Sequence, residues 1–286
     1  MRRTIRHLSR IAALIAMAGL ASAILVRHSP GALVDERELN QRLGADSLAA
    51  LRAQKERNAN LGAGFVAYLK GLAHGDLGYS DANNAPIGKL IADRAPETLR
   101  ELGRGLGGGW LIGLALAIPI GRFGRAWVYD AAASASAGLL LSLPTALVAY
   151  LGVMAGAASG LVLAIVMAPR IFYFARNLLA QAYSAHHVDM ARAHGIRERS
   201  IFWAHVLPDA APQLLALAAS SVSMAIGAAI PIESICGSPG LGRLAWQAAM
   251  ARDLPLLVNL TMLATLIVSL AMMFSDALTG LESERL

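Results

Sequence analysis

The sequence predicts an all-α integral membrane protein with six transmembrane helices. Of its 286 residues, 56% are hydrophobic and only 15% charged, where a soluble domain carries about 25% charged residues. Mean hydropathy is +0.52. Clusters of Leu, Ala, Ile and Val recur along the chain with few charges inside them, as in a polytopic membrane protein. The net charge of +6 raises the question of nucleic acid. The Arg residues, however, stand mostly beside apolar runs, where they suit topology and anionic lipid better. A single cysteine, Cys236, excludes an internal disulfide.

The first span is residues 11–26, preceded by Arg2, Arg3, Arg6 and Arg10. Ala21-Ser22-Ala23 resembles a cleavage site, and a secretory signal has this shape. The run is long for a signal core and the rest of the chain is itself membrane-embedded, so an uncleaved first span fits better. Residues 27–97 follow as a long outer segment of mixed charge. Within it, 46–57 reads as a helix capped by Asp46, 65–72 as a second, amphipathic piece, and 75–80 as turn-rich. The remaining spans are 99–120, 131–154 with Pro144, 160–180 with Pro169, 211–232 and 255–278. Proline inside a membrane helix is tolerated where neighbours satisfy the freed carbonyl, and it often marks a kink.

Short-loop charges set the orientation. Four Arg precede the first span, Arg122 and Arg125 follow the second, and Arg192, Arg197 and Arg199 follow the fourth. Residues 155–159 carry no charge. The positive-inside rule therefore places both termini and the loop around Gly195 in the cytoplasm. In that loop, 183–193 is expected to continue the fourth span as a helix. Gly195 supplies the φ > 0 residue that ends it. Residues 198–206 form a second short helix, and Pro208 redirects the chain into the fifth span. Such a knob suits a groove on another protein; the plainer alternative is an ordinary loop between two spans.

Gly195 lies six positions after the triplet's first residue in Asp189-Met190-Ala191, and Leu207-Pro208 lies twelve and thirteen after Gly195. This spacing resembles the EAA loop of ABC-transporter permeases. Further segments resemble the dipeptide/oligopeptide permeases: Gly75-Asp76-Leu77-Gly78-Tyr79-Ser80 with Pro86, Pro96-Glu97-Thr98-Leu99, and Ser142-Leu143-Pro144. So do Glu233 with Ser238-Pro239-Gly240-Leu241-Gly242, Ala251-Arg252-Asp253-Leu254-Pro255, and Asp276. The chain also departs from the pattern. Met190 replaces the middle Ala, and His205 stands where many ABC permeases carry Ile, although the peptide subgroup often has His.

The resemblance implies a type I ABC importer permease fold: residues 1–97 as an N-terminal span and periplasmic segment, and 98–286 as the permease core. It implies an ATPase-coupling loop carrying Asp189, Ala191, Gly195, His205, Leu207 and Pro208. It implies a second, similar permease, two ABC ATPases and an extracytoplasmic substrate-binding protein as partners in the inner membrane. ATP and Mg would be bound by the ATPases, so this chain has no cofactor of its own. The implied cargo is a di- or oligopeptide; nickel chelates and glutathione use permeases of this type too.

Arg170 stands well inside the fourth span, where an Arg is expensive unless it faces a partner or water. Lining the translocation path, in contact with a peptide carboxylate, is weighed against snorkelling or structural pairing; Glu233 is the second path candidate. His186, His187, His194 and His205 raise a metal site, but solvated loop histidines and ATPase contacts account for them more simply. Cys236 has no paired His or Asp beside it in sequence and is not expected to be a nucleophile. Gly105, Gly107, Gly108 and Gly109 do not make a phosphate loop, since no Gly-x-x-x-x-Gly-Lys-Ser/Thr occurs; they suit close helix packing. A rival class, a stand-alone secondary transporter, calls for midplane ionisable residues and internal repeats. Only Arg170 meets the first condition, and no repeat is visible.

Overall fold

A computed structural model describes residues 76–123 and 127–283, together with 13–15, 17–22 and 24. Most of the predicted first span, and the predicted pieces at 46–57 and 65–72, lie outside the described residues. Tyr79–Ser80 (β1) and Ala85–Pro86 (β2) form a small antiparallel hairpin, with Tyr79 opposite Pro86. The rest is helical: α1 (Ile87–Phe123), α2 (Trp127–Ser142), α3 (Thr145–Met154), α4 (Ser159–Tyr183), α5 (His186–Ala193) and α6 (Glu198–Ile201). A π-turn, Phe202–Val206, leads into α7 (Leu207–Cys236), followed by α8 (Leu241–Met250) and α9 (Leu254–Ser283).

Four described helices are long and apolar enough to cross a membrane: Ile87–Pro119, Ser159–Tyr183, Glu198–Cys236 and Leu254–Ala277. Ser134–Ser142 and Thr145–Met154 would make a fifth crossing as a pair bent by 97°. A shorter apolar helix runs over Ala13–Ser22. Large apolar side chains such as Leu111, Leu139, Met154 and Phe274 point outward, more than half exposed; patches of this kind mark a lipid or protein partner.

Several elements differ from their sequence prediction for local reasons. The second span starts twelve residues early, at Ile87 rather than Leu99, because the charged stretch before Leu99 lacks hydropathy but keeps helical geometry through Pro96. The third span is two helices. Pro144 has φ −58° and ψ 137°, so the chain leaves the α region, while the Ser142 hydroxyl donates to the Leu139 carbonyl at 2.7 Å. Proline removes an N–H and disfavours helix in the residue before it. The fourth span does not run on to residue 193. It ends at Tyr183, with Ser184 and Ala185 turning the chain before α5. Nor does Pro208 end a helix. It sits at the start of α7 behind the π-turn, where the Leu207 N–H reaches back to the Phe202 carbonyl. That five-residue step absorbs the bond that Pro208 cannot donate.

Two compact units emerge, Met1–Asp93 with Gln247–Thr265 and Arg94–Trp246 with Leu266–Leu286. In the first, buried Asp253 organises the described part. It accepts hydrogen bonds from the Ser80 hydroxyl, from the Ala82 N–H at 3.1 Å and from the Leu256 N–H at 3.2 Å. The last of these caps the first turn of α9. Asn259 donates to the Leu77 carbonyl at 3.0 Å, so the hairpin is tied to α9 twice.

In the second unit, α1 lies close against α4 through glycine. A Cβ on Gly105 would stand 2.4 Å from the Leu163 side chain, and on Gly113 2.8 Å from Ile171. Gly108 and Gly109 are similarly tight, whereas a Cβ on Gly107 would meet nothing. Helices α4 and α7 run antiparallel. Leu179 and Tyr183 share a buried cluster with Val206 and Ala210 at one end, and Val162 and Leu163 share one with Ala225 and Ile232 toward the other.

Candidate coupling loop, buried carboxylates and cavity

Helices α5 and α6 form a compact knob between α4 and α7. Val188, Ile201 and Val206 are fully buried beneath it, and Ala191 nearly so. Gly195 turns the chain at φ +73°, as expected of a residue ending a helix. Its N–H reaches the Arg192 carbonyl at 2.9 Å. Arg192 clasps the turn by donating to Glu198 at 2.8 Å and to Asp189 at 3.3 Å. The bond to Glu198, then the charges of Glu198 and Asp189, raise the guanidinium above its ordinary pKa against the opposing desolvation. The His205 ring lies beside that of His187, centroids 6.1 Å apart and planes tilted by 48°. Leu207 is half-buried and Pro208 exposed. Among the described residues, no three His, Cys, Asp or Glu side chains converge as metal ligands.

The knob also displays apolar residues to the outside, the triplet's Met190 among them. Met190, Ile196 and Trp203 are exposed apolar side chains on its surface. The signal for them was present in the sequence as apolar residues interleaved with charges in a polar stretch. The buried alanine and the turn glycine build the knob, and these three face outward.

At the opposite end of α4 and α7 lies a cluster of two buried carboxylates. Glu233 is fully buried. It accepts from the Thr98 hydroxyl at 2.7 Å and from the Arg243 N–H at 3.0 Å. Thr98 in turn accepts from the Leu241 N–H at 2.6 Å. Glu101, 3% exposed, accepts from the hydroxyls of Ser159 and Ser238. The cluster ties α1, the start of α4, the end of α7 and residues 237–243 together. A Cβ on Gly240 would fall about 2.2 Å from the Glu233 carboxylate, which explains the glycine in Ser238-Pro239-Gly240. Glu233 thus has its oxygens committed and does not line the cavity at Arg170. Glu101 escaped the sequence reading, although an acid just inside an apolar run is the signal that marks it.

Arg170 is half-buried near the middle of α4. It lines a cavity of about 160 Å³ with Leu143 and Thr145 from the α2–α3 break, Met167 from α4, and Met224 and Gly227 from α7. A Cβ on Gly227 would meet nothing within 4 Å. The two path candidates are therefore separated: Arg170 faces space and Glu233 faces partners.

Residues 109–286, more than half of the chain, match the family described as the binding-protein-dependent transport system inner membrane component. The chain belongs to that family. It is a multi-pass inner-membrane transport component. It is 29% identical to a peptide permease protein of Brucella suis biovar 1 over 90% of this chain and 89% of that one. It is 27% identical to the oligopeptide transport system permease protein OppB of Salmonella typhimurium over 85% of each. Among solved structures, the MetNI methionine ABC transporter in inward-facing conformations superposes with a TM-score of 0.60 at 22% identity. That match covers 67% of this chain and 95% of the other, and it shows a shared fold.

Proposed function

We propose that this family member is the permease subunit of an ATP-driven importer of di- or oligopeptides. The observation that carries the cargo class is the likeness to peptide and oligopeptide permeases over nearly the whole length of both chains. The knob around Gly195 supports a coupling role, since it exposes Met190, Ile196 and Trp203 from a rigid, ion-paired turn. Apolar anchors on a rigid projection suit insertion into a partner's groove. In this reading the partners are two ATPases that bind ATP and Mg, a second permease, and an external binding protein; this chain hydrolyses nothing itself. Asp189, Ala191, Gly195, His205, Leu207 and Pro208 belong to the docking element. The chain crosses the membrane six times with both termini in the cytoplasm.

The test is uptake by the complex reconstituted in liposomes with its binding protein. Labelled di- to pentapeptides should accumulate only with ATP inside. Accumulation of a nickel chelate or glutathione with no peptide uptake would replace the cargo class. Uptake driven by an ion gradient without ATPase subunits would replace the importer class.

A further inference from the structure

The cavity beside Arg170 has a composition that calls for a particular ligand. Its walls are Leu, Met, Val, Ile, Ala and Gly, with one hydroxyl from Thr145 and one cation from Arg170. Among the described residues, no acidic side chain lines it, and no hydrogen bond or ion pair holds the Arg170 guanidinium. Arg170 lies eleven residues into a 25-residue helix, so it stands near mid-membrane, where a guanidinium facing lipid is disfavoured. The space in front of it exists for two reasons legible in the chain. The break at Leu143–Pro144 swings α3 away from the line of α2 by 97°. Gly227 leaves the facing wall of α7 without a side chain.

We propose that this cavity is an anion-holding subsite of the translocation path, in which Arg170 receives a carboxylate of the passing cargo. A guanidinium presents a planar fork of donors that matches a carboxylate. The guanidinium is the one charged group in the lining, with no acid there to compete for it. The cavity is small enough to hold a terminal carboxylate and its neighbouring atoms, and too small for a whole peptide. It therefore recognises one end of the cargo, or one acidic side chain, and leaves the rest unread. This rests on the reading of the chain as a peptide permease, and the experiment separates the two.

Thiol chemistry in the assembled complex, held in nanodiscs with its partner subunits, reports the field in the cavity directly. Cys236→Ser removes the native thiol, and Gly227→Cys places one in the cavity wall. Modification rates are compared for an anionic sulfonate and a cationic trimethylammonium methanethiosulfonate. The anionic reagent should react about tenfold faster, the size of enrichment that a focused charge gives. Arg170→Gln should bring the two rates together, and Arg170→Lys should keep part of the difference. A free-acid tripeptide should slow modification where its C-terminal amide does not. Thr145→Cys on the opposite wall repeats the measurement if Gly227→Cys fails to assemble.

Equal rates with Arg170 present would mean that a partner's acid neutralises it, and the proposal fails. It fails also if neither reagent reaches the thiol, if the preference survives Arg170→Gln, or if acid and amide protect equally. Protection by anionic lipid alone would assign the cavity to a headgroup and overturn the cargo assignment. A preserved reagent preference in a complex that imports no peptide removes the peptide reading and leaves the anion site standing.

Discussion

Glycine does two different jobs in this chain, and the distinction yields two predictions at the residue scale. Gly195 has empty space where a Cβ would go, but its φ is +73°; its requirement is purely conformational. Gly195→Ala should insert normally and strain the turn by about 1–2 kcal/mol. Co-purification with the ATPase and peptide uptake should both fall, while Gly195→Asn, which tolerates left-handed backbone, should fall less. An Ala variant that matches wild type in both assays would remove the conformational requirement. Gly105 is the reverse case, helical but pressed against Leu163. Gly105→Ala should destabilise the α1–α4 contact by about 1–3 kcal/mol. Gly107→Ala, facing open space, should be neutral or stabilising by up to about 1 kcal/mol. Thermal denaturation in detergent reads both, and the opposite order would sink the packing argument. The sequence showed that glycines gather in this helix. Only the facing side chains of α4 separate Gly105 from Gly107, and no spacing within one helix contains them.

Elements were legible where hydropathy and length agree, as in α4, α7 and α9, and less so where proline decides. Pro144 breaks its span, yet Pro169, Pro212 and Pro231 lie inside continuous helices. At Pro144 the backbone leaves the α region, and at Pro208 a π-turn takes up the lost bond; these are register facts that no proline position in the sequence contains. The π-turn matters for coupling because it makes Glu198–Cys236 one rod. In the proposed coupling role, a push on the knob would be carried along α7 toward the buried cluster around Ala225 and Ile232. We predict that Pro208→Ala, which restores the missing N–H, lets the turn convert to α-helix with no residue removed. Each residue of an α-helix advances about 100°, so the knob would rotate by roughly that amount relative to α7. The variant should insert and keep its span, yet lose ATPase-driven uptake. Uptake near the wild-type rate would show that the knob's azimuth is not read by its partner.

At the scale of the whole molecule, the antiparallel run of α4 and α7 puts the knob and the carboxylate cluster at opposite ends. Helix α7 has 30 residues and a length of about 45 Å, close to the full thickness of a bilayer with its headgroups. The Gly195 end and the Cys236 end of this rod therefore belong at opposite membrane surfaces. In the proposed orientation the arginines around Gly195 keep the knob in the cytoplasm, and Cys236, half-buried at the far end of α7, would face the outer side. Because Cys236 is the single thiol in the chain, an impermeant maleimide applied to intact spheroplasts should label it without permeabilisation. A thiol placed on the exposed face of the knob by Ser200→Cys, with Cys236→Ser, should be labelled only after the membrane is opened. In the proposed six-span topology, a C-terminal reporter should be active only in the cytoplasm. Labelling of both thiols from the same side would mean that α7 does not span. Labelling with the sides exchanged would keep the fold and invert the orientation, and a cytoplasmic ATPase could then no longer meet the knob.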